Sequence, residues 1–372
     1  MLRLFMINKK LLKQLDFSLI IIAMVIVLFG AFNIYCAMQP TNQGSYYFLL
    51  QCLWLLLGII VIYLILIFDY AVFEQYAGVI YFFGVALLIF NNITSKAING
   101  ASMWIKIGSR AIEPGEFARL CLILMLAKQL QKMEGNTNKI KNFMILVIYS
   151  IIPMILIFLQ PDLGLTMVCF FVAFGIFYVH GLKLKVIISG ILAILIGLAI
   201  VWNSGLIQPY QKSRLTAFID PSSASEKAKY QLDLSKKSIG SGEIVGKGIA
   251  TGSFVDNSYV PENFTDFIFS VVGNQWGFIG GVLLLFLYAI LIMKIIAIGR
   301  NSKDIFGAVI CTGVVSSLLF SIFQNIGMTI GLMPISGITL PFMSYGGSSL
   351  LTNFISLGLV LSVGMRRKKI NF

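Results

Sequence analysis

The sequence predicts an all-α polytopic membrane protein with ten transmembrane helices. Of its 372 residues, 58% are hydrophobic and 12% are charged, whereas soluble domains are about 45–50% apolar and about 25% charged. The apolar residues form ten runs, most of which reach or approach the ~20 residues that a bilayer requires. Lysine and arginine gather on alternate connections between these runs. We therefore expect one integral membrane domain over residues 1–372.

The first run follows Lys9, Lys10 and Lys13 but is too long for the ~7–15-residue core of a signal peptide, so it predicts an uncleaved first span. The fourth run is the shortest and the most charged. The predicted spans are 17–36, 48–68, 71–90, 116–131, 143–159, 163–180, 184–203, 267–298, 305–330 and 341–365.

The placement of the basic residues predicts the topology. The N-terminal segment, the 128–142 and 294–303 connections and the 366–369 tail are rich in lysine and arginine, whereas the short connections on the opposite side carry none. The positive-inside rule then places both termini in the cytoplasm. A large external loop, 204–266, follows between helices 7 and 8, with a polar helix over about 226–238. The net charge of +13 therefore reflects membrane topology rather than a nucleic-acid partner.

Several kinds of site are excluded by the sequence. The five cysteines lie in apolar runs without metal-ligand spacing, so we interpret them as packing residues. His180 is the only histidine, which excludes a histidine cluster. The glycine-rich stretch 240–252 is not a P-loop, because Ser241 replaces the required first glycine and Gly248 the required Ser or Thr. Flexible external turns are the simplest interpretation of that stretch.

Two carboxylates, Glu262 and Asp266, precede a long apolar run. Ionisable groups at membrane depth face a cavity, find a partner or do chemistry. If a helix begins at Pro261, the two carboxylates lie four residues apart on one face. Alternatively, Asn263 or Thr265 caps the helix, and Asp266 complements the helix dipole in the first turn. Spacing leaves both interpretations open.

Two further charged positions have a simple and a functional interpretation. Glu116 and Arg119 are either a local exposed ion pair, contributing ~0.2–0.5 kcal/mol, or the lining of a polar cavity in the membrane. Asp162 lies in a short connection, where an ordinary turn would explain it. The four-residue spacing of Gly273, Gly277 and Gly281 predicts close helix packing.

Several motifs resemble the SEDS family of shape, elongation, division and sporulation proteins. The resemblance is carried by Pro-Glu-x-x-Thr-Asp-Phe-Ile-Phe at 261–269, Gln-Pro-Asp-Leu-Gly at 160–164 and the glycine- and serine-rich 333–349 segment. Asn-Gly-Ala at 99–101, Trp104, Glu116 and Arg119 match a further family pattern, with arginine in place of lysine at 119. The order Tyr-Gln-Lys-x-Arg-Leu at 210–215 is similar to the RodA branch. Departures from the family pattern are Met103, Gly115, Phe264, Asn274 and Gln275.

The resemblance implies a peptidoglycan glycosyltransferase that polymerises lipid II at the outer face of a bacterial cytoplasmic membrane, during elongation and cell-shape maintenance. It implies that Asp266 is the essential aspartate, for which we expect the role of general base. The implied substrate-binding residues are Glu262, Trp104, Glu116, Arg119, Asp162, Lys212, Arg214 and Ser344. Arg119, Lys212 and Arg214, with or without a divalent cation such as Mg²⁺ or Mn²⁺, would balance the charge of the pyrophosphate.

Two other expectations follow. A lipid II flippase is the alternative function, although a flippase needs charges along the full membrane depth and these cluster at the external ends. No Ser-x-x-Lys motif lies in a folded external domain, so crosslinking requires a second chain. The family resemblance implies that this partner is a class B penicillin-binding protein, a transpeptidase, docked against the membrane helices.

Overall fold

The computed structural model describes residues 13–94, 104–107, 110–183, 185–186, 190, 226–248 and 260–367. Within these residues the chain is almost entirely helical, with one short hairpin of strands β1 (Ile105–Ile107) and β2 (Arg110–Ile112) paired antiparallel. The ten α-helices of the described residues are α1 Phe17–Met38, α2 Gly44–Ile67, α3 Tyr70–Thr94, α4 Pro114–Lys132, α5 Ile140–Phe158, α6 Leu163–Val179, α7 Glu226–Ser241, α8 Ile268–Arg300, α9 Ile305–Ile330 and α10 Gly347–Met365.

Nine of these helices coincide with predicted spans, and α7 coincides with the predicted polar helix of the long loop. By length and composition, seven of the described helices can cross a membrane. The other two that match predicted spans are α6, which has 17 residues, and the more charged α4. The predicted span 184–203 lies almost wholly outside the described residues. The last helix begins at Gly347 rather than at 341, because residues 341–346 form turns.

The bundle is organised around α4, α9 and α10. The most apolar stretches of α9 and α10 are 72% and 78% buried, whereas those of α3 and α5 are 28% and 22% buried. The outer helices direct large apolar side chains away from the protein, for example Val79 and Phe83. An apolar outer surface of this kind matches a lipid environment. In lipid, the backbone N–H and C=O groups must form their hydrogen bonds within the protein.

Ionic and hydrogen-bonded contacts join the helix ends on the side of the two termini, the proximal end. Asp304 caps α9 by accepting from the Gly307 N–H at 2.8 Å, and its other oxygen accepts from the Tyr70 hydroxyl at 2.6 Å. Asp69 pairs with Arg366 at 3.0 Å. The opposite side, which carries residues 39–43, 159–162, 260–267 and 331–346, is called the distal end below.

Helix α8 is broken at Gly277, whose backbone angles are φ 62° and ψ −157°. The break lies nine residues after the helix begins, about 14 Å along its axis. The chain after α7, residues 242–248, fills the gap. Its Lys247 N–H donates to the Asn274 carbonyl at 2.9 Å, and its Glu243 carbonyl accepts from the Phe278 N–H at 2.9 Å. Irregular backbone at membrane depth is tolerated where protein satisfies it, as this segment does.

These contacts correct two expectations about glycines. Gly273 does permit close packing, because a Cβ there would lie 3.0 Å from Ile239 of α7. Gly277 does not serve packing of regular helices. It breaks the helix, and a Cβ there would lie 2.4 Å from the backbone nitrogen of Gly246. Residues 242–245 do form turns, but the expectation that they are flexible is wrong, since the 242–248 segment is hydrogen-bonded to α8.

Candidate active site

A small polar cleft, with a cavity volume of about 30 Å³, lies at the distal end, where α4, α6, α9 and α10 meet the 337–341 segment. Its lining consists of Glu113, Glu116, Arg119, Asp162, Leu165, Val168, Ser321, Gly337, Ile338, Thr339, Pro341, Ser349 and Asn353. Three of the predicted site residues, Glu116, Arg119 and Asp162, are therefore brought together. Ionisable side chains concentrated in one concave region of a membrane protein are typical of a functional site.

Glu116 and Arg119 form a buried ion pair. The Glu116 Oε2 lies 2.7 Å from Arg119 Nη2, and the two side chains are 9% and 5% exposed. Arg119 also donates to Ser317 Oγ of α9 at 2.6 Å and to Asn353 Oδ1 of α10 at 3.3 Å. The interpretation as an exposed local pair is therefore wrong. Arg119 instead joins three helices beneath the cleft.

Asp162 has two roles in the structure. Its side chain caps α6 by accepting from the Leu165 N–H at 2.9 Å, as a residue at the start of a helix commonly does. The same residue is 7% exposed and lines the cleft. The structural role of Asp162 is therefore a helix cap, and its predicted contact with substrate stays a prediction.

Asp266 lies in a non-helical segment, residues 260–267, immediately before α8. Both sequence interpretations of this segment are wrong: the helix begins at Ile268 rather than at Pro261, and its N-cap is Phe267 rather than Asn263 or Thr265. Asp266 is half-buried, and its negative charge reaches Glu113 in the cleft lining. The segment therefore brings Asp266 to the cleft without helical geometry.

Two other parts of the chain hold the Asp266 segment in place. The Asn325 side chain of α9 donates to the Asp266 carbonyl at 2.8 Å. The Ser344 hydroxyl donates to the Thr265 carbonyl at 2.6 Å and accepts from the Leu340 N–H at 2.8 Å. Phe264 packs against Tyr345, with ring centroids 5.8 Å apart. In this structure Ser344 thus positions the segment, and its predicted contact with substrate stays a prediction.

The remaining predicted site residues lie elsewhere. Glu262 has an exposed side chain that accepts from Thr265 Oγ1 at 3.1 Å, and it is not part of the cleft lining. Trp104 is half-buried and precedes strand β1. Lys212 and Arg214 lie outside the described residues, so the predicted cationic side of the site stays a prediction.

Glu113 is a cleft residue that the sequence reasoning did not select. It precedes Pro114, the first residue of α4, and its backbone N–H donates to Ser348 Oγ at 3.1 Å. Desolvation in the cleft raises the pKa of Glu113 well above its ordinary value, and the charges of Glu116, Asp162 and Asp266 raise it further against the opposing effect of Arg119. The sequence feature that could have identified Glu113 is its position as a second glutamate, three residues before Glu116.

No group of three or more His, Cys, Asp or Glu side chains in the described part of the chain is arranged to hold a metal ion. The described residues therefore offer no set of ligands for the predicted divalent cation, and the proposed reaction does not use one.

The geometry supports chemistry by a single carboxylate base beside a water-restricted polar cleft. A half-buried aspartate can remove a proton from a hydroxyl group, and a fixed polar lining can orient the hydroxyl toward its target. A leaving group that departs as a stable anion needs no proton from the enzyme. Such a reaction therefore requires fewer protein groups than glycoside hydrolysis, which uses two carboxylates.

Comparison with known proteins agrees with this geometry. The probable peptidoglycan glycosyltransferase FtsW of Wigglesworthia glossinidia brevipalpis is 32% identical over 356 residues, covering 95% of this chain and 92% of that protein. The peptidoglycan glycosyltransferase RodA of Treponema pallidum (strain Nichols) is 27% identical, covering 95% and 98%. The peptidoglycan glycosyltransferase MrdB of Escherichia coli (strain K12) is 31% identical, covering 81% and 80%.

Solved structures and a family model extend the similarity to almost the whole chain. A chain from a structure of polymerization and crosslinking coordinated by a peptidoglycan synthase complex superposes with a TM-score of 0.80 at 29% identity, covering 94% of this chain and 97% of that one. Thermus thermophilus RodA, the rod shape determining protein, superposes with a TM-score of 0.71 at 27% identity, covering 95% and 98%. The model of the FtsW/RodA/SpoVE cell cycle proteins matches residues 13–369. The chain therefore belongs to the FtsW/RodA/SpoVE family, the SEDS proteins, and has a RodA-like fold.

Proposed function

We propose that this chain is a peptidoglycan glycosyltransferase that polymerises lipid II into glycan strands at the outer face of the bacterial cytoplasmic membrane, during elongation and cell-shape maintenance. The observation that carries the proposal is the half-buried Asp266, held beside the cleft that Glu116, Arg119 and Asp162 line. The relatives named as peptidoglycan glycosyltransferases cover the same length of chain, which supports the same activity here.

In the proposed reaction Asp266 acts as the general base. A sugar hydroxyl of one saccharide attacks the anomeric carbon of the next, and the Asp266 carboxylate accepts the hydroxyl proton. The bond from the anomeric carbon to the pyrophosphate oxygen breaks, and its electron pair leaves with the lipid pyrophosphate. General-base catalysis of this kind contributes about 10²–10⁴-fold to the rate.

Arg119 contributes chiefly by shaping the cleft. Its guanidinium is already engaged by Glu116, Ser317 and Asn353, so little of its charge is left for the pyrophosphate. We assign the balancing of that charge to Lys212 and Arg214 of the long loop. A positively charged external loop beside an anionic leaving group follows the general pattern of electrostatic stabilisation.

The proposed topology has ten spans, with both termini in the cytoplasm and the 204–266 loop outside, between helices 7 and 8. The seven described helices able to cross a membrane and the basic residues of the proximal end support it. The distal cleft then faces the outer side, where the substrate's saccharide lies.

A class B penicillin-binding protein is the proposed partner. The neighbour of highest similarity reported above is a chain of a complex that coordinates polymerization with crosslinking. This chain supplies glycan strands that a transpeptidase would join. Co-purification from membranes in mild detergent tests the pairing, and polymerisation unaffected by a co-purifying transpeptidase would contradict functional coupling.

The decisive experiment is polymerisation of purified lipid II by the purified chain, comparing wild type with Asp266→Ala and Asp266→Asn. We expect both substitutions to reduce polymer by at least about 10²-fold. Asp233→Asn, which alters an exposed carboxylate on α7, is the matched control. Undiminished polymer from Asp266→Asn would remove Asp266 as the base. Transbilayer movement of labelled lipid II without polymer would favour a flippase instead.

A further inference from the structure

Glu113 is fixed at the cleft from two directions. Proline at the next position begins α4, and the Glu113 N–H donates to Ser348 Oγ in the first turn of α10. Its side chain belongs to the cleft lining together with Glu116 and Asp162. The backbone of Glu113 is therefore held by the same elements that build the site.

The charged groups that face Glu113 come from three elements. Glu116 and Arg119 lie on α4, Asp162 begins α6, and Asp266 precedes α8. Glu113, Glu116 and Asp162 line the cleft together with the Arg119 guanidinium, and the charge of Asp266 acts on Glu113 from outside that lining. Like charges this close cannot all be ionised without a cost in free energy.

Two of the other carboxylates have a partner in the structure. Glu116 lies 2.7 Å from Arg119, and Asp162 accepts a backbone N–H at the start of α6. Asp266 lies in the turn before α8 and is half-buried. Glu113 is half-buried, and desolvation and the neighbouring negative charges raise its pKa, so this carboxyl group has an increased tendency to hold a proton.

We propose that Glu113 works as a neutral carboxylic acid, which donates a hydrogen bond to an oxygen of the substrate's pyrophosphate. This inference rests on the proposed function. During transfer the proton of the attacking hydroxyl passes to Asp266, the pyrophosphate leaves with the electron pair of the broken bond, and the Glu113 proton stays on Glu113. Two carboxyl groups in different environments then take different roles, one as donor and one as base.

The neutral form matters because of the charge of the substrate. An ionised Glu113 would place a negative charge beside an anionic pyrophosphate and beside Asp266, which would weaken binding and alter the basicity of Asp266. A protonated Glu113 supplies a hydrogen-bond donor at the same point without that repulsion. Glutamine is the closest permanent mimic of this form, because its amide is neutral and carries a donor.

The experiment measures lipid II polymerisation by the purified full chain as a function of pH, for wild type, Glu113→Gln and Glu113→Ala. We expect wild-type activity to fall as pH rises and Glu113 ionises, and we expect Glu113→Gln to lack this alkaline decline. Glu113→Ala removes the donor and should lower activity by roughly tenfold across the range. Glu243→Gln, at an exposed glutamate outside the cleft, should decline with pH as wild type does.

A second measurement follows the melting temperature of the same proteins against pH. A carboxyl group whose pKa is raised in the folded state contributes stability that is lost as pH rises through that pKa. The wild-type melting temperature should therefore fall more at alkaline pH than that of Glu113→Gln. An equal fall in both proteins, or a folded Glu113→Gln without activity, would overturn the inference. Wild type without polymer at any pH would contradict the proposed function instead, and the melting comparison would still test the protonation.

Discussion

The Asn325 side chain lies 2.8 Å from the carbonyl oxygen of Asp266 and donates a hydrogen bond to it. The same nitrogen donates to the Ile338 carbonyl at 2.7 Å. Asn325 is completely buried in α9, the helix at the centre of the bundle. One amide thus joins the segment that carries the proposed base to the segment that lines the cleft.

The first prediction concerns Asn325→Asp. The substitution keeps the shape but places a carboxylate oxygen, which cannot donate, against two carbonyl oxygens. Leaving buried polar groups unsatisfied costs about 1–3 kcal/mol for each group. We expect a lower melting temperature in detergent and a loss of polymerisation of about 10²-fold, because a displacement near 1 Å can cost that much.

Thr312→Val is a control for this prediction, since it also lies on α9 and its hydroxyl donates only within the helix, to the Ala308 carbonyl. It should change polymerisation little. Normal activity in a folded Asn325→Asp protein would show that the Asp266 segment does not depend on this contact.

The second prediction concerns the buried pair of Glu116 and Arg119. Removing one partner of a buried pair costs about 3–5 kcal/mol, because the other charge is left uncompensated. We expect Arg119→Gln to lower the melting temperature strongly. The double variant Glu116→Gln with Arg119→Gln should recover part of that stability, since no isolated charge remains. Thermal unfolding of the two single variants and the double variant gives their coupling energy.

Arg119→Lys distinguishes charge from geometry. Lysine keeps the charge but lacks the planar fork that reaches Glu116, Ser317 and Asn353 together. It should stabilise the protein better than glutamine does, yet remain below wild type in activity. Additive single and double effects would contradict an energetic pairing of Glu116 with Arg119.

The third prediction concerns the contact of residues 242–248 with the break in α8. A Cβ at Gly246 would lie 2.1 Å from the Gln275 carbonyl oxygen, and a Cβ at Gly277 would lie 2.4 Å from the Gly246 nitrogen. Gly246→Ala and Gly277→Ala must therefore displace backbone. We expect each to lower the melting temperature, with a cost above the ~1–3 kcal/mol typical of strained backbone alone.

Gly248→Ala is the matched control for that prediction. Gly248 also has a positive φ, 80°, but a Cβ there meets no atom within 4 Å. The Gly248→Ala variant therefore measures the conformational strain of alanine at a positive φ without a steric clash. Equal destabilisation by Gly246→Ala and Gly248→Ala would show that the close approach to α8 is unimportant.

The described helices of the predicted spans could be anticipated because long apolar runs are a strong signal. The residue at which α8 begins could not be predicted from the sequence. Pro261 and Asp266 are typical first-turn residues, but the backbone near Asp266 bonds instead to Asn325 and to the Tyr345 N–H. Those partners come from distant parts of the sequence, so local propensity cannot reveal them.

Some departures from the family pattern have a physical reason that only the structure supplies. Gly115 is the second residue of α4, and a Cβ there would lie 2.4 Å from Leu165 Cδ2 of α6. The Asn274 side chain donates to Ser241 Oγ at 2.7 Å. These residues suit contacts with neighbouring elements, which a single sequence does not display.

The last prediction separates the proximal end from the cleft. Asp304 caps α9 and accepts from the Tyr70 hydroxyl, so Asp304→Ala removes a cap and leaves a buried hydroxyl without that partner. Losing a cap costs about 0.5–2 kcal/mol, and an unsatisfied buried group about 1–3 kcal/mol. Both residues lie at the end of the bundle opposite the cleft. Polymerisation per folded molecule should therefore stay within about twofold of wild type in both Asp304→Ala and Tyr70→Phe, because distant sites that share no contacts influence each other only weakly. Melting temperature and polymerisation are measured on the same preparations. A large loss of activity in folded Tyr70→Phe would mean that the proximal end takes part in the reaction and would contradict its confinement to the distal cleft.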